Sequence, residues 1–130
     1  MTASKLSISL AVLMVIIGMG WGIAMAISGN HETAPAHAHL NLLGWVSLFL
    51  MGLYYRWHPE RDQSGLAKLQ VAVWAAATAA MVAGIALIYS GAPQAEPLAA
   101  ISSLVLFADM LLFGWIVLGA SRQPVAHPAE

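Results

Sequence analysis

Apolar residues occupy this chain in four long runs, and polar residues collect in the short segments between them. The runs extend from Leu6 to Ser28, from Ala36 to Trp57, from Leu66 to Ser90 and from Pro97 to Ala120. A helix needs about 20 mostly apolar residues to cross about 30 Å of hydrocarbon, and each run meets that length. None carries a strand signal. The pattern therefore predicts an all-α, four-helix transmembrane bundle over residues 1–121, followed by a disordered cytoplasmic tail at 122–130. The first run exceeds the roughly 7–15 residues of a signal-peptide core, so it is read as a retained span.

The connections have turn chemistry. Ser28-Gly29-Asn30 ends the first span, and Pro35 opens the second where a missing N–H costs nothing. The segment from His58 to Gly65 is the most polar in the chain. Ser90-Gly91-Ala92-Pro93 closes the third span, and Glu96-Pro97 opens the fourth. Lys5, Arg56, Arg61, Lys68 and Arg122 lie at the N-terminus, around the middle loop and at the C-terminus, whereas the outer two loops hold Glu32 and Glu96 and no Lys or Arg. Basic residues favour the cytoplasmic side. Both termini and the middle loop are thus expected to face the cytoplasm, with His31, His37 and His39 toward the outer side.

Composition sharpens this picture by exclusion. Hydrophobic residues make up 60% of the chain and charged ones 8%, against about 25% charged in a soluble domain. A net charge of −1 offers no basic face for nucleic acid. The absence of Cys excludes disulfides, thiolate metal sites and thiol nucleophiles.

The chemistry-bearing residues cluster at the start of the second span, in His37-Ala38-His39-Leu40-Asn41 followed by Leu42-Leu43-Gly44. Ionisable residues in a span are costly and mark function by default, and imidazole is a common metal ligand. Successive helical residues turn by about 100°, so His37 and His39 point to nearly opposite sides and serve two clefts better than one metal. His37, Asn41, Gly44, Leu48, Met51 and Tyr55 are expected on one face, with His39, Leu43, Val46 and Leu50 on the other. Gly44 leaves room for a flat ligand or a second helix, and Asn41 would hydrogen-bond an imidazole, a propionate or backbone. Asp109 lies near mid-membrane, as a proton-path residue or a buried structural group paired with Ser102, Ser103, Asn41 or water. Gly18, Gly20, Gly22 and the stretch from Ala75 to Ala80 point to close helix packing, in an oligomer or a tight bundle.

The runs His39-Leu40-Asn41-Leu42-Leu43, Met51-Gly52-Leu53-Tyr54-Tyr55 and Pro59-Glu60 resemble the second helix of the catalytic subunit of bacterial nitric oxide reductases, in the haem-copper oxidase superfamily. The likeness covers about 22 residues. It implies that His39 is an axial ligand of haem b. His37-Ala38-His39 is also similar to a His-x-His pair of that family whose rings ligate two different haems. The family's large subunit has twelve helices in three sectors of four, so the resemblance implies a homotrimer in which His37 and His39 of adjacent copies share a haem. The chain has no separate helix of copper ligands, so oxygen or nitric oxide reduction by it alone is not expected; symmetry would bring in His31 only as an additional ligand.

The expected function is therefore that of a membrane haem protein with His37, His39, Asn41 and Gly44 at its cofactor site, for electron transfer or for handling gas or haem. Two alternatives stay open. His-x-His with Met14, Met19, Met25 and Met51 suits a copper-binding or metal-transport protein. A cofactor-free assembly subunit of a larger membrane complex would use the same small residues for packing alone.

Overall fold

The structure, a computed structural model, describes residues 1–120; the expected tail at 122–130, with Arg122, lies outside the described residues. Four helices are long and apolar enough to cross a membrane. They are α1 (Ala3–Ser28), α2 (Ala34–Trp57), α3 (Gly65–Tyr89) and α4 (Glu96–Ala120). A short helical turn, Pro59–Asp62, joins α2 to α3, and a 3-10 turn, Pro93–Ala95, leads into α4.

The helix boundaries depart from the apolar runs by up to three residues because caps, not hydropathy, set them. The Thr2 hydroxyl accepts the Lys5 N–H at 3.3 Å, so α1 begins at Ala3 rather than Leu6. It ends at Gly29, whose φ of 68° lies in the left-handed region open to a residue without Cβ. Pro35 sits within the first turn of α2, which starts at Ala34 rather than Ala36. The Ser64 hydroxyl caps α3 by accepting from the Ala67 N–H at 3.0 Å.

Consecutive spans run in opposite directions, so one end of the bundle gathers Lys5, Arg56, Arg61 and Lys68, and the other gathers the loops with Glu32 and Glu96. The first is called here the Trp57 end and the second the histidine end. At the Trp57 end the Asp62 carboxylate accepts from both the Ser4 backbone N–H, at 2.6 Å, and the Ser4 hydroxyl, at 3.0 Å. A carboxylate at a helix N-terminus meets the unpaired N–H groups and the positive end of the dipole.

Helix α3 is central. Within its most apolar window 44% of residues are buried inside the chain, against 22% in α1 and in α4. Helix α1 packs along α2, and α4 packs along α3. The outer faces of α1 and α4 present large apolar side chains, among them Leu13, Ile16, Ile23, Leu104, Phe107 and Trp115. Such faces suit hydrocarbon, where burying Leu or Ile against lipid needs no protein partner.

Glycines set the helix separations. A Cβ on Gly52 would lie 2.6 Å from Ile8 Cγ1 and 3.3 Å from the Ile8 backbone N, so α1 and α2 approach closely there. A Cβ on Gly84 would lie 2.9 Å from the Ala99 backbone N, which brings the backbones of α3 and α4 into contact near the histidine end.

Helix α2 is not uniform. Leu40–Ser47 is a π-helix between the α-helical segments Ala34–His39 and Leu48–Trp57. Side chains and neighbours take up carbonyls in and next to it. The Trp74 indole donates to Leu43 O at 2.9 Å, the Ser47 hydroxyl to Leu42 O at 3.0 Å, and the Ser7 hydroxyl to Leu48 O at 2.6 Å. The wider turn changes which residues face inward. The buried ridge of α2 is Ala36, Leu40, Gly44, Leu48, Met51, Gly52 and Tyr55, while His37 and Asn41, expected on the ridge, lie half-buried at its edge. In an α-helix a four-residue step overshoots a full turn by about 40°; the π-helix removes most of that drift, so residues 40, 44 and 48 stay in line.

The close approach of α3 and α4 gives a prediction. Gly84→Ala should destabilise the folded protein by about 1–3 kcal/mol, the usual cost of overpacking, because the added carbon meets backbone that has no rotamer to change. Gly114→Ala, where a Cβ has nothing within 4 Å, should be neutral. Reversible SDS unfolding in mixed micelles measures both.

Candidate functional site

His37 and His39 diverge in the structure. The His37 ring packs toward α1, where a Cβ on Gly22 would stand 3.1 Å from its Cε1. The Asn41 amide follows one turn later, donates to the His37 carbonyl at 2.9 Å and lies 3.4 Å from each ring nitrogen. Asn41 itself fills the space at Gly18, where a Cβ would come within 2.7 Å of its Oδ1. His37 and Asn41 thus line the seam between α1 and α2.

His39 stands two residues, or about 200°, further round the helix. It is half-exposed, and its Nδ1 lies 2.7 Å from Pro35 O. A carbonyl only accepts, so Nδ1 carries the proton in that bond. A histidine held by an Nδ1–H bond to a carbonyl, with Nε2 free, has the tautomer and fixed orientation of a metal-ligating imidazole. His58, at the other end of α2, makes the same kind of bond to Tyr54 O at 2.7 Å and stacks on the Tyr54 ring at 4.2 Å. His31 is exposed on the loop after α1, with Nδ1 3.2 Å from Gly29 O. Among the described residues no three His, Asp or Glu side chains gather as a metal-holding group.

The space beside Gly44 is filled by a neighbouring helix. A Cβ there would lie 2.6 Å from Met14 Sδ and 3.3 Å from Leu40 Cδ1. At the same end of the bundle, Trp21, Met25, Ser28, Asn30, Glu32, Thr33 and Ser90 line an open hollow of about 480 Å³, which neither His37 nor His39 enters. The Trp21 indole donates to the Thr33 hydroxyl at 3.0 Å across it, holding the loop against α1.

Asp109 belongs to a separate polar cluster in the other half of the bundle. The Gln70 amide donates to Asp109 Oδ2 at 2.6 Å, and the Tyr55 hydroxyl donates to Gln70 Oε1 at 2.9 Å. Met51 Sδ lies 3.5 Å from the same amide nitrogen. Tyr55 and Gln70 are fully buried, and Asp109 is 5% exposed. Gln70 is a partner that the sequence reading did not name. Ser103 donates to Ala100 O at 2.7 Å, and Asn41 lies with His37 at the opposite end. The missed residue is Gln70, and its signal was present: it is the one side-chain amide inside the apolar run from Leu66 to Ser90. Thr78, also on α3, is buried with no hydrogen-bond partner for its hydroxyl among the described residues.

The Tyr55–Gln70–Asp109 chain predicts an asymmetry between substitutions. Gln70→Leu leaves a buried carboxyl and a buried phenol without their shared partner and should cost about 1–3 kcal/mol or more. The triple change Gln70→Leu, Asp109→Leu and Tyr55→Phe removes all three polar groups together and should recover most of that loss. SDS unfolding of the single, double and triple variants reads the coupling.

No protein-family model matches this chain, no curated protein is similar to it in sequence, and no solved structure matches it. The likeness of residues 39–60 to the nitric oxide reductase helix thus rests on those residues alone.

Proposed function

We propose that this chain is a multi-pass membrane protein that binds haem b, with His39 supplying an axial nitrogen and a histidine of a neighbouring copy, His37 by the family likeness, supplying the second. The observation that carries the reading is the His39 imidazole, half-exposed and fixed by its Nδ1–H bond to Pro35 O at 2.7 Å, with no partner for Nε2 among the described residues. Bound haem supplies a one-electron couple at iron. The chain's part is to hold the ring near one face of the membrane and to orient the ligand through the Pro35 carbonyl. The four-per-sector likeness supports a homotrimer, and the Lys and Arg at the Trp57 end support placing that end in the cytoplasm of a bacterial inner membrane.

A cofactor-free assembly subunit is the second reading, favoured by a specific observation. Met14 occupies the space at Gly44 and Asn41 that at Gly18, so helix packing alone accounts for those two glycines. A copper protein is the third outcome of the same experiment. Met14 and Met25 are both engaged, Met14 against Gly44 and Met25 with its Sδ 3.7 Å from the Thr33 hydroxyl.

Absorption spectra of the detergent-purified protein, oxidised and dithionite-reduced, test the reading beside His37→Ala and His39→Ala. The expected result is a Soret band with narrow bands on reduction, and haem affinity lower by about tenfold or more in His39→Ala. A colourless protein from a host with ample haem overturns it. Stoichiometric copper by metal analysis would then select the metal-binding alternative, and neither chromophore nor metal would select the assembly subunit.

A further inference from the structure

We infer that the groove between α3 and α4 is the docking site for α1 of a second copy of this chain, with Ser9 of that copy meeting the Asp109 carboxyl. The inference deepens the homo-oligomer part of the reading above and is independent of haem. Leu69, Val73, Val105, Ala108, Asp109 and Leu112 line the groove, which is open on the outside of the bundle and has a volume of about 300 Å³. Among the described residues its one polar side chain is Asp109, which is 5% exposed and whose Oδ2 is taken by Gln70. Its Oδ1 has no hydrogen-bond partner among the described residues. A lipid chain in that groove would leave this oxygen unsatisfied in hydrocarbon, which costs several kcal/mol.

The occupant must therefore be apolar along its length and carry a hydroxyl or similar group at one depth. Helix α1 fits. Its buried side holds Ser4, Ser7, Ala11, Met14 and Gly18, and its opposite side exposes Ser9, Val12, Leu13 and Ile16 at the three- and four-residue spacing of one helical face. The other outward serines within the spans, Ser28, Ser47 and Ser103, direct their hydroxyls to carbonyls of their own helices, at 3.2, 3.0 and 2.7 Å.

Depth makes the match restrictive. Copies inserted with the same orientation hold each residue at the same level in the membrane, so lateral docking joins only groups of equal depth. Ile8, next to Ser9, lies against Gly52, and Gly52 adjoins Met51, whose sulfur contacts the Gln70 amide that bonds Asp109. This series of contacts puts Ser9 and Asp109 in the same half of the bundle, the half toward the Trp57 end. The two surfaces differ and sit on different helices of one chain, so each copy offers α1 to one neighbour and the groove to another. Heterologous contacts of this kind close into rings when the rotation allows.

Because the chain contains no Cys, engineered cysteines report this contact directly. Helices α1 and α4 run oppositely, so a step from Ser9 to Leu13 in one matches a step from Asp109 to Val105 in the other. Leu13→Cys with Val105→Cys, oxidised in native membranes of the expressing cells, should give covalent dimers and higher ladders. The yield should exceed by about tenfold that of Leu13→Cys with Phe107→Cys, because Phe107 is exposed but does not line the groove. Adding Ser9→Ala, a change on the outer surface that leaves the monomer's packing intact, should weaken association by about threefold to tenfold, the range of interhelical hydrogen bonds in membranes. Equal yields from the two cysteine pairs, or association unchanged by Ser9→Ala, overturn the inference. Crosslinking is read equally in a colourless protein, so its failure and the failure of the haem reading are separate results.

Discussion

Gln70 joins three helices through one side chain. Its amide oxygen accepts from Tyr55 on α2, and its nitrogen donates to Asp109 on α4, while the residue itself belongs to α3. Hydrocarbon supplies no competing hydrogen bonds, so polar groups placed at this depth must find each other. Apolar packing alone cannot choose among the arrangements open to four greasy helices, because lipid solvates their surfaces as well as a neighbour does. A three-member polar chain has one arrangement that satisfies it. It fixes the rotation of α3 and the level of α4, which otherwise meets the bundle chiefly through α3.

The second half of the architecture rests on missing side chains. Gly18, Gly22, Gly44 and Gly52 let α1 and α2 interlock, with Asn41, His37, Met14 and Ile8 in the spaces they leave. The histidine end is thus a packed seam on one side of α2, with the His39 imidazole on the other. The divergence of the two rings follows from helical geometry, and the ring that meets α1 is His37.

Much of this was legible in the sequence. Four spans and three short connections follow from run length, and the divergence of His37 and His39 from a two-residue separation. The partner of Asp109 was only half legible: Gln70 stands out as the one side-chain amide in its run, but pairing between spans depends on rotations that no single helix determines. Gly44 announced a space without saying what filled it; Met14 does. The π-helix left no mark either. Leu40 to Ser47 has ordinary helical composition, and its wide turn accompanies contacts with Trp74 and Ser7 that form only once α1 and α3 are in place.

That wide turn acts as a phase shifter. The Tyr55 end of α2 is clamped by the Gln70 chain and the His37 end by α1, and the azimuth of one relative to the other is set by the extra backbone accommodated between residues 40 and 47. Rewinding the segment as an α-helix would rotate the two ends against each other by an appreciable fraction of a turn. The imidazole of His39 would then face a different neighbour although no residue near it had changed. The direction in which this helix presents its histidine is therefore encoded several residues away, in the winding of the backbone.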